Sequence, residues 1–338
     1  MNTTLEDIAK VADVSVTTVS NALRGKGRVS DKMQSRIIQI AEELGYNRKQ
    51  SIPDTNLIGL ISCSFPGKNN DPSFWNSTSY YTHKAIEGIN TTIGNRYNLI
   101  YKIIKNNNET DLPDMVTDNL IQGLIVIGGS IKDELIIKLN ENNIPMVLVF
   151  TDIFNQNINN VLADYRFGGY LAANYLIQLN HKNIGFINGW SKTHTSEMKL
   201  EGFKKALKEN NMSFDSKLYQ TGNFTKQDGK TTMEQLLKQN QKPTAVFVAD
   251  DIMALGAIEK CREIGLKIPE DISMIGFGNS PFSSSTNPPL STINVPKYHI
   301  GEIAAKRLFS IIENENKLNQ KIILPVNLIK RNSCKKLE

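Results

Sequence analysis

Residues able to make directional contacts concentrate near the N-terminus, in Asp7-Ile8-Ala9-Lys10-Val11-Ala12-Asp13-Val14-Ser15-Val16-Thr17-Thr18-Val19-Ser20-Asn21-Ala22-Leu23. Two helices that meet closely need a small residue at the contact, which Ala9 supplies, and an apolar residue in the turn, which Val14 supplies. The outward face of the second helix then carries Thr17, Thr18, Ser20 and Asn21, short polar side chains able to reach base edges and phosphates in a major groove. Arg24, Lys26, Arg28, Lys32 and Arg36 follow against the single acid Asp31, with Arg48 and Lys49 beyond. A charge run alone is usually a solvated face. Behind this segment it reads as part of a DNA-binding unit, the alternative being a small solvated helical cap.

The rest of the chain offers little catalytic chemistry. Gly229-Lys230-Thr231 resembles the tail of a P-loop, but the first glycine would fall at Phe224 and no strand closely precedes it. Gly128-Gly129 lacks the third glycine of a dinucleotide fingerprint. His83, His181, His194 and His299 are dispersed, with no His-Glu-x-x-His spacing, and Cys63, Cys261 and Cys334 have no metal-ligand spacing. No catalytic residue, metal or cofactor is expected.

Behind these residues stand elements that must position them. Thr3 with Glu6, or Thr4 with Asp7, can cap a first helix with the face Leu5, Ile8, Ala9 and Ala12. Ser15 caps a second, carrying Val16, Val19 and Leu23, and Ser30 a third with Met33, Ile37, Ile40, Ala41 and Leu44, ended by Gly45. Residues 47–56 are polar and broken by Pro53, a linker composition. From Leu57 short apolar runs recur at 57–63, 97–103, 123–127, 146–150, 184–188, 245–249 and 272–277. Helical stretches at 82–93, 132–142, 166–180, 196–210, 228–239 and 252–264 separate most of them. This alternation predicts buried parallel sheets of the α/β class. About 280 residues are long for one sheet, so two lobes are expected. A last helix near 298–315 and a final strand over 322–328 cross back between them, and the Asn-rich 106–108 and 155–160 are read as loops.

The chain has 338 residues, 40% hydrophobic and 22% charged, with a net charge of +5. That is ordinary globular composition with room for large cores. No apolar run approaches a membrane span, the N-terminus lacks a signal-peptide pattern, and the cysteines form no disulfide framework, so a cytoplasmic location is expected.

Residues 4–46 resemble the headpiece of the lactose/galactose-repressor (LacI/GalR) family of bacterial transcription regulators. The match rests on Thr4, Asp7-Ile8-Ala9, Val14-Ser15, Thr18-Val19-Ser20, Val29-Ser30 and Leu44-Gly45-Tyr46. It continues through Gly202-Phe203, Asp250-Asp251 with Met253-Ala254-Leu255-Gly256-Ala257, Pro269-Glu270-Asp271-Ile272-Ser273, Pro289-Leu290-Ser291-Thr292-Ile293, Leu324-Pro325 and Arg331-Asn332-Ser333. The resemblance implies an all-α helix-turn-helix headpiece (1–46), a short linker (47–56) and an effector-binding and dimerisation domain (57–338). The last would be a two-lobed, periplasmic-binding-protein-like (type I) α/β sensor, one lobe about 57–162 and 295–322, the other about 163–294 and 323–334. It further implies a homodimer, a near-palindromic double-stranded operator and a small effector, such as a sugar or sugar derivative, held between the lobes, with no membrane partner. The function implied is that of a transcription regulator, a repressor under allosteric control.

By that resemblance Val16, Thr17 and Asn21 discriminate bases, and Thr4, Ser15, Thr18, Ser20, Arg24 and Arg28 complete the DNA contacts. Asn21, where many relatives carry Arg, can pair bidentately with adenine. The effector set is Tyr81, Lys199, Phe224, Asp250 and Asn279. Asp71-Pro72-Ser73-Phe74-Trp75 looks similar to the family's aromatic pair, but helix spacing to Gly88 points to Tyr80-Tyr81, of which Tyr81 is preferred. Lys199 replaces an Arg, Phe150 an Asp, and Gly278-Asn279 an acidic position, which weakens the case for a sugar held by carboxylates and guanidinium. No Ala-x-x-Leu hinge lies between Tyr46 and Gly59, and Pro53 would break such a helix, so no leucine wedge and a weaker operator bend are expected. A doubly wound enzyme and a secreted solute receptor are the competing readings. The first lacks a nucleophile or acid-base pair, and the second should lack the headpiece.

Overall fold

The computed structural model describes residues 3–23, 29–44, 55–63, 75–104, 110–128, 131–191, 193–315 and 318–338. The chain forms two compact units, Met1–Ser51 and Ile52–Glu338. The linker expected over 47–56, apart from 55 and 56, lies outside the described residues, as do Arg24 and Arg28.

Among the described residues the first unit forms three helices, α1 (Leu5–Ala12), α2 (Val16–Leu23) and α3 (Asp31–Glu43). Ile8, Ala9, Ala12, Val19, Ala22, Ile37 and Ala41 bury against one another, each helix contributing residues at helical spacing. Of the two candidate caps, Thr4 is the one used. Its side chain accepts from the Asp7 amide while the Asp7 carboxylate accepts from the Thr4 amide at 2.8 Å. Thr3 instead donates to the Leu44 carbonyl at 2.7 Å, joining the two ends of the unit. Ser30 stands at the start of α3 as expected, but its side chain makes no capping bond.

Among the described residues the second unit holds two six-stranded sheets. One, in order β11-β5-β4-β3-β1-β2, joins β1 (Leu57–Cys63), β2 (Asn98–Ile104), β3 (Gly123–Ile127), β4 (Met146–Val149), β5 (Asn159–Ala163) and β11 (Lys321–Leu324), all parallel. Helices α4 (Trp75–Ile93), α5 (Asp114–Thr117), α6 (Asp133–Glu141) and α12 (Lys297–Ile312) belong to it. The other, in order β12-β10-β9-β8-β6-β7, joins β6 (Ile184–Asn188), β7 (Tyr219–Thr221), β8 (Ala245–Val248), β9 (Ser273–Gly278), β10 (Ser291–Asn294) and β12 (Asn327–Ile329). Only β12 runs antiparallel. Helices α7 (Tyr165–Gln178), α8 (His194–Glu209), α9 (Lys226–Leu237), α10 (Asp251–Glu263) and the short α11 (Pro281–Ser285) accompany it. Every residue of β3, β4 and β8 is buried, which is why these strands read as continuous apolar runs.

The chain crosses between sheets three times, after β5, after β10 and between β11 and β12. Two expectations are corrected here. The segment read as one strand over 322–328 is two strands in different sheets, because Pro325 has no amide to continue the ladder. The Asn-rich 155–160 is not all loop, since Asn159 and Asn160 open β5 and are buried. Their polarity is matched inside except at the Asn160 oxygen, which is buried without a hydrogen-bond partner among the described residues. The Asn159 amide donates to Asn319 at 2.7 Å and its oxygen accepts from buried Arg307 at 2.8 Å, while Asn160 donates to Asp152 at 2.6 Å. Strands β7 and β10 were not anticipated.

Candidate functional site

In the first unit the turn between α1 and α2 passes through Asp13 in the left-handed region (φ 54°), and Val14 donates back to the Ala9 carbonyl at 3.1 Å. Ser15 then starts α2, its hydroxyl accepting from the Thr18 amide at 3.1 Å and pairing with the Thr18 hydroxyl at 2.8 Å. Val19 and Ala22 face the core, which turns the opposite face outward. There Ser15, Val16 and Thr17 are exposed, and Thr18, Ser20 and Asn21 are half-buried. Val16 is 42% exposed although apolar, suited to contact a methyl group rather than to fill this core. Gln34 of α3 donates to the Ala22 carbonyl at 3.1 Å and fixes the far end of α2. Thr4 is exposed, but its hydroxyl is engaged with Asp7.

In the second unit the C-terminal ends of β4, β8 and β9 converge on a cleft between the sheets, the place where open parallel sheets bind ligands. Three residues there hold positive φ: Phe150 (61°) after β4, Phe224 (63°) before α9 and Asn279 (51°) after β9. A bulky side chain in that region is strained and needs its surroundings to hold it. Tyr81 of α4 meets Phe150 edge-on at 5.8 Å between centroids. Tyr80, Tyr81, Asp250, Asp251, Ile252, Phe277, Ser280 and Phe282 line a small cavity of about 10 Å³.

Lys199 of α8 is buried beside this cavity. Its ammonium donates to the Ala249 carbonyl at 3.0 Å and stands 4.6 Å from the Phe277 ring, 5.5 Å from Phe224 and 5.8 Å from Tyr165. Burial pushes its pKa down, and the charge of Asp250 partly offsets that. Asp250 caps α10, its Oδ1 accepting from the Ile252 and Met253 amides at 2.8 and 3.4 Å. Burial and then neighbouring Asp251 push its carboxyl up, against the pull of those amides and of Lys199. Asp251 accepts from the Ser280 amide at 2.6 Å and the Thr292 hydroxyl at 2.7 Å. Lys297, at the start of α12, donates to the Gly278 carbonyl and lies 4.5 Å from the Tyr81 ring. Burial lowers it to about 8.

Four of the five expected effector residues, Tyr81, Lys199, Phe224 and Asp250, therefore stand around one cleft. Asn279 does not present its side chain there. Its oxygen accepts from Arg331 at 2.8 Å and its amide donates to Asn294 at 3.1 Å, so it braces the end of β9. Tyr165, Phe277, Asp251 and Lys297 were missed by the sequence reading. Nothing local distinguishes them there, because three-dimensional convergence is what makes them neighbours.

Residues 4–49 match the family described as bacterial regulatory proteins, lacI family, and residues 173–334 match the periplasmic binding protein-like domain. The chain is 32% identical over 341 residues to the probable HTH-type transcriptional repressor ExuR of Bacillus subtilis (strain 168), covering 99% of each chain. It is 33% identical to the HTH-type transcriptional repressor PurR of Edwardsiella ictaluri (strain 93-146), covering 98% of this chain and 96% of that one. Among solved structures, a LacI transcriptional regulator from Bacillus cereus subsp. cytotoxis NVH 391-98 aligns with a TM-score of 0.77 at 30% identity, over 84% of this chain and all of that one. With its three-helix unit, its paired parallel sheets and identity sustained from end to end, the chain belongs to the LacI family of bacterial transcription regulators.

Proposed function

We propose that this regulator is a repressor that reads its operator with α2 and is switched by a small molecule held in the cleft at Lys199. The observation that carries the reading is the outward face of α2, where Val16 and Thr17 are exposed and Asn21 is half-buried on a core-packed helix. Val16, Thr17 and Asn21 contact base edges, and Thr4, Ser15, Thr18, Ser20, Arg24 and Arg28 contact the backbone, so the first set specifies and the second positions. Regulators of this family act on operators as dimers. We assign the same state here, with the headpiece over 1–46 and the sensor over 57–338. The two lobes of the sensor are taken as about 57–162 with 295–322 and about 163–294 with 323–334.

Tyr81, Lys199, Phe224 and Asp250 hold the effector, and Asn279 supports them from behind β9. The protein acts in the cytoplasm, where its operator is, and performs no catalysis. The linker works without a leucine wedge, so the operator is bent less than a hinge helix would bend it. A gel-shift series with DNA from the gene's own neighbourhood tests the reading. Retardation of one fragment over scrambled DNA, changed by a small molecule through a coupling of about 1–3 kcal/mol, is expected. Equal binding to all DNA would overturn it.

A further inference from the structure

Lys199 and Asp250 leave hydrogen-bonding capacity unused, and the pattern of what is left indicates the ligand. Lys199 is 4% exposed and its ammonium has three donors, yet among the described residues it makes one hydrogen bond, to Ala249. The three rings around it attract its charge but take no N–H bond as a carboxylate oxygen does. Two donors on a buried cation are thus unmet, an arrangement that costs free energy until an acceptor arrives. Asp250 uses Oδ1 for the two α10 amides, and its Oδ2 accepts no hydrogen bond among the described residues. No ion pair within 4.0 Å joins Lys199 to Asp250, so the two do not satisfy each other.

The cleft's other charges are already committed. Asp251 is held by the Ser280 amide and the Thr292 hydroxyl, and Lys297 by the Gly278 and Val295 carbonyls. What remains among the described residues is one cation with two donors, one carboxylate oxygen, the unpartnered Ser280 hydroxyl, and aromatic walls from Phe224, Phe277 and Tyr165 beside the cation. A sugar ring offers a C–H face to such walls. A carboxylate meets both free donors with charge-assisted bonds, which are roughly twice as strong as neutral ones.

Resting on the effector-cleft reading above, we propose that the ligand is a small polyhydroxy carboxylate, a sugar acid. Its carboxylate is taken by Lys199 and an adjacent hydroxyl by Asp250.

The test is calorimetry on the full chain. D-galacturonate, D-glucuronate and D-gluconate are compared with D-galactose, D-glucose and the hexose 6-phosphates. At least one acid is expected to bind roughly tenfold or more tightly than its neutral parent. Lys199→Met should remove that preference and Lys199→Arg should keep most of it, with circular-dichroism melts reporting that both fold. If the Met variant fails to fold, the acid-against-parent comparison on the unaltered chain decides. No binding by any acid overturns the proposal, as does a neutral sugar or phosphate ester binding as tightly as the acids, or an acid preference that survives Lys199→Met. A chain that prefers acids but retards no DNA upholds this proposal and overturns the regulator reading. A chain that retards its operator but prefers neutral sugars does the reverse.

Discussion

Gly278 and Tyr81 meet where the two lobes face each other: a Cβ on Gly278 would stand 2.5 Å from the Tyr81 hydroxyl oxygen. Tyr81 belongs to α4 of the first sheet's lobe and Gly278 ends β9 of the second. Gly278 also holds φ 123°, which side chains rarely adopt. The tyrosine thus occupies a notch that only glycine leaves open, and Lys297 closes it by bonding the Gly278 carbonyl from beneath the same ring.

Gly278→Ala should therefore destabilise the sensor by about 1–3 kcal/mol through backbone strain and the clash. Urea unfolding would read the loss. Tyr81→Ala in the same chain should recover the part due to the clash but not the part due to φ. Strict additivity of the two substitutions would show that the contact carries no energy.

A second close approach sets the position of Lys199. A Cβ on Gly169 of α7 would lie 2.2 Å from the Lys199 carbonyl oxygen, so α8 rests on α7 backbone to backbone. Gly169→Ala would push α8 outward and carry the ammonium from its ring cluster, at about 1–3 kcal/mol of stability. Effector affinity should fall along with the melting temperature. A variant that melts lower yet binds as before would place the cost elsewhere.

The pH dependence of stability follows from buried histidine. His181 is 1% exposed, with Nδ1 against Thr244 at 2.9 Å and Nε2 against Ser273 and the Lys335 carbonyl, each at 3.1 Å. Burial lowers its pKa from 6.5, and that of His194 shifts the same way for the same reason. The unfolded chain then binds protons more readily than the folded one. The histidine contribution to stability is full above 6.5 and declines as pH falls from there through the folded values. Between pH about 7.5 and about 5 the raised Asp250 carboxyl acts with the opposite sign, so the test is a difference: the urea midpoint of the unaltered chain relative to that of His181→Gln should fall as pH is lowered.

Much of this was legible in sequence, and the failures share a cause. The runs that became β3, β4 and β8 are buried on both faces, so composition alone marked them. Asn159 and Asn160 read as loop because a strand bearing them needs distant partners, Asn319, Arg307 and Asp152, that no local pattern displays. Thr4 could be named as a cap because its partner is three residues away, although only the structure chose it over Thr3. Lys199 was placed in the cleft by resemblance. Of its three rings only Phe224 was expected beside it, since Tyr165 and Phe277 come from other elements far apart in the chain.

Specificity in the headpiece can be separated from its stability. Thr4→Ala removes the side-chain half of the capping box, leaving the backbone amide of residue 4 on the Asp7 carboxylate, and should cost about 0.5–2 kcal/mol of headpiece stability. Binding to specific and scrambled DNA should weaken together, because the outward face of α2 is untouched. Asn21→Ala leaves the buried faces of Val19 and Ala22 intact and removes a side chain able to pair bidentately with adenine. It should cost about 1–3 kcal/mol on the operator and much less on scrambled DNA. Competition gel shifts with both duplexes at one stated salt concentration measure the two losses. Equal weakening by Asn21→Ala would assign that residue to the phosphates and leave Val16 and Thr17 to read the bases.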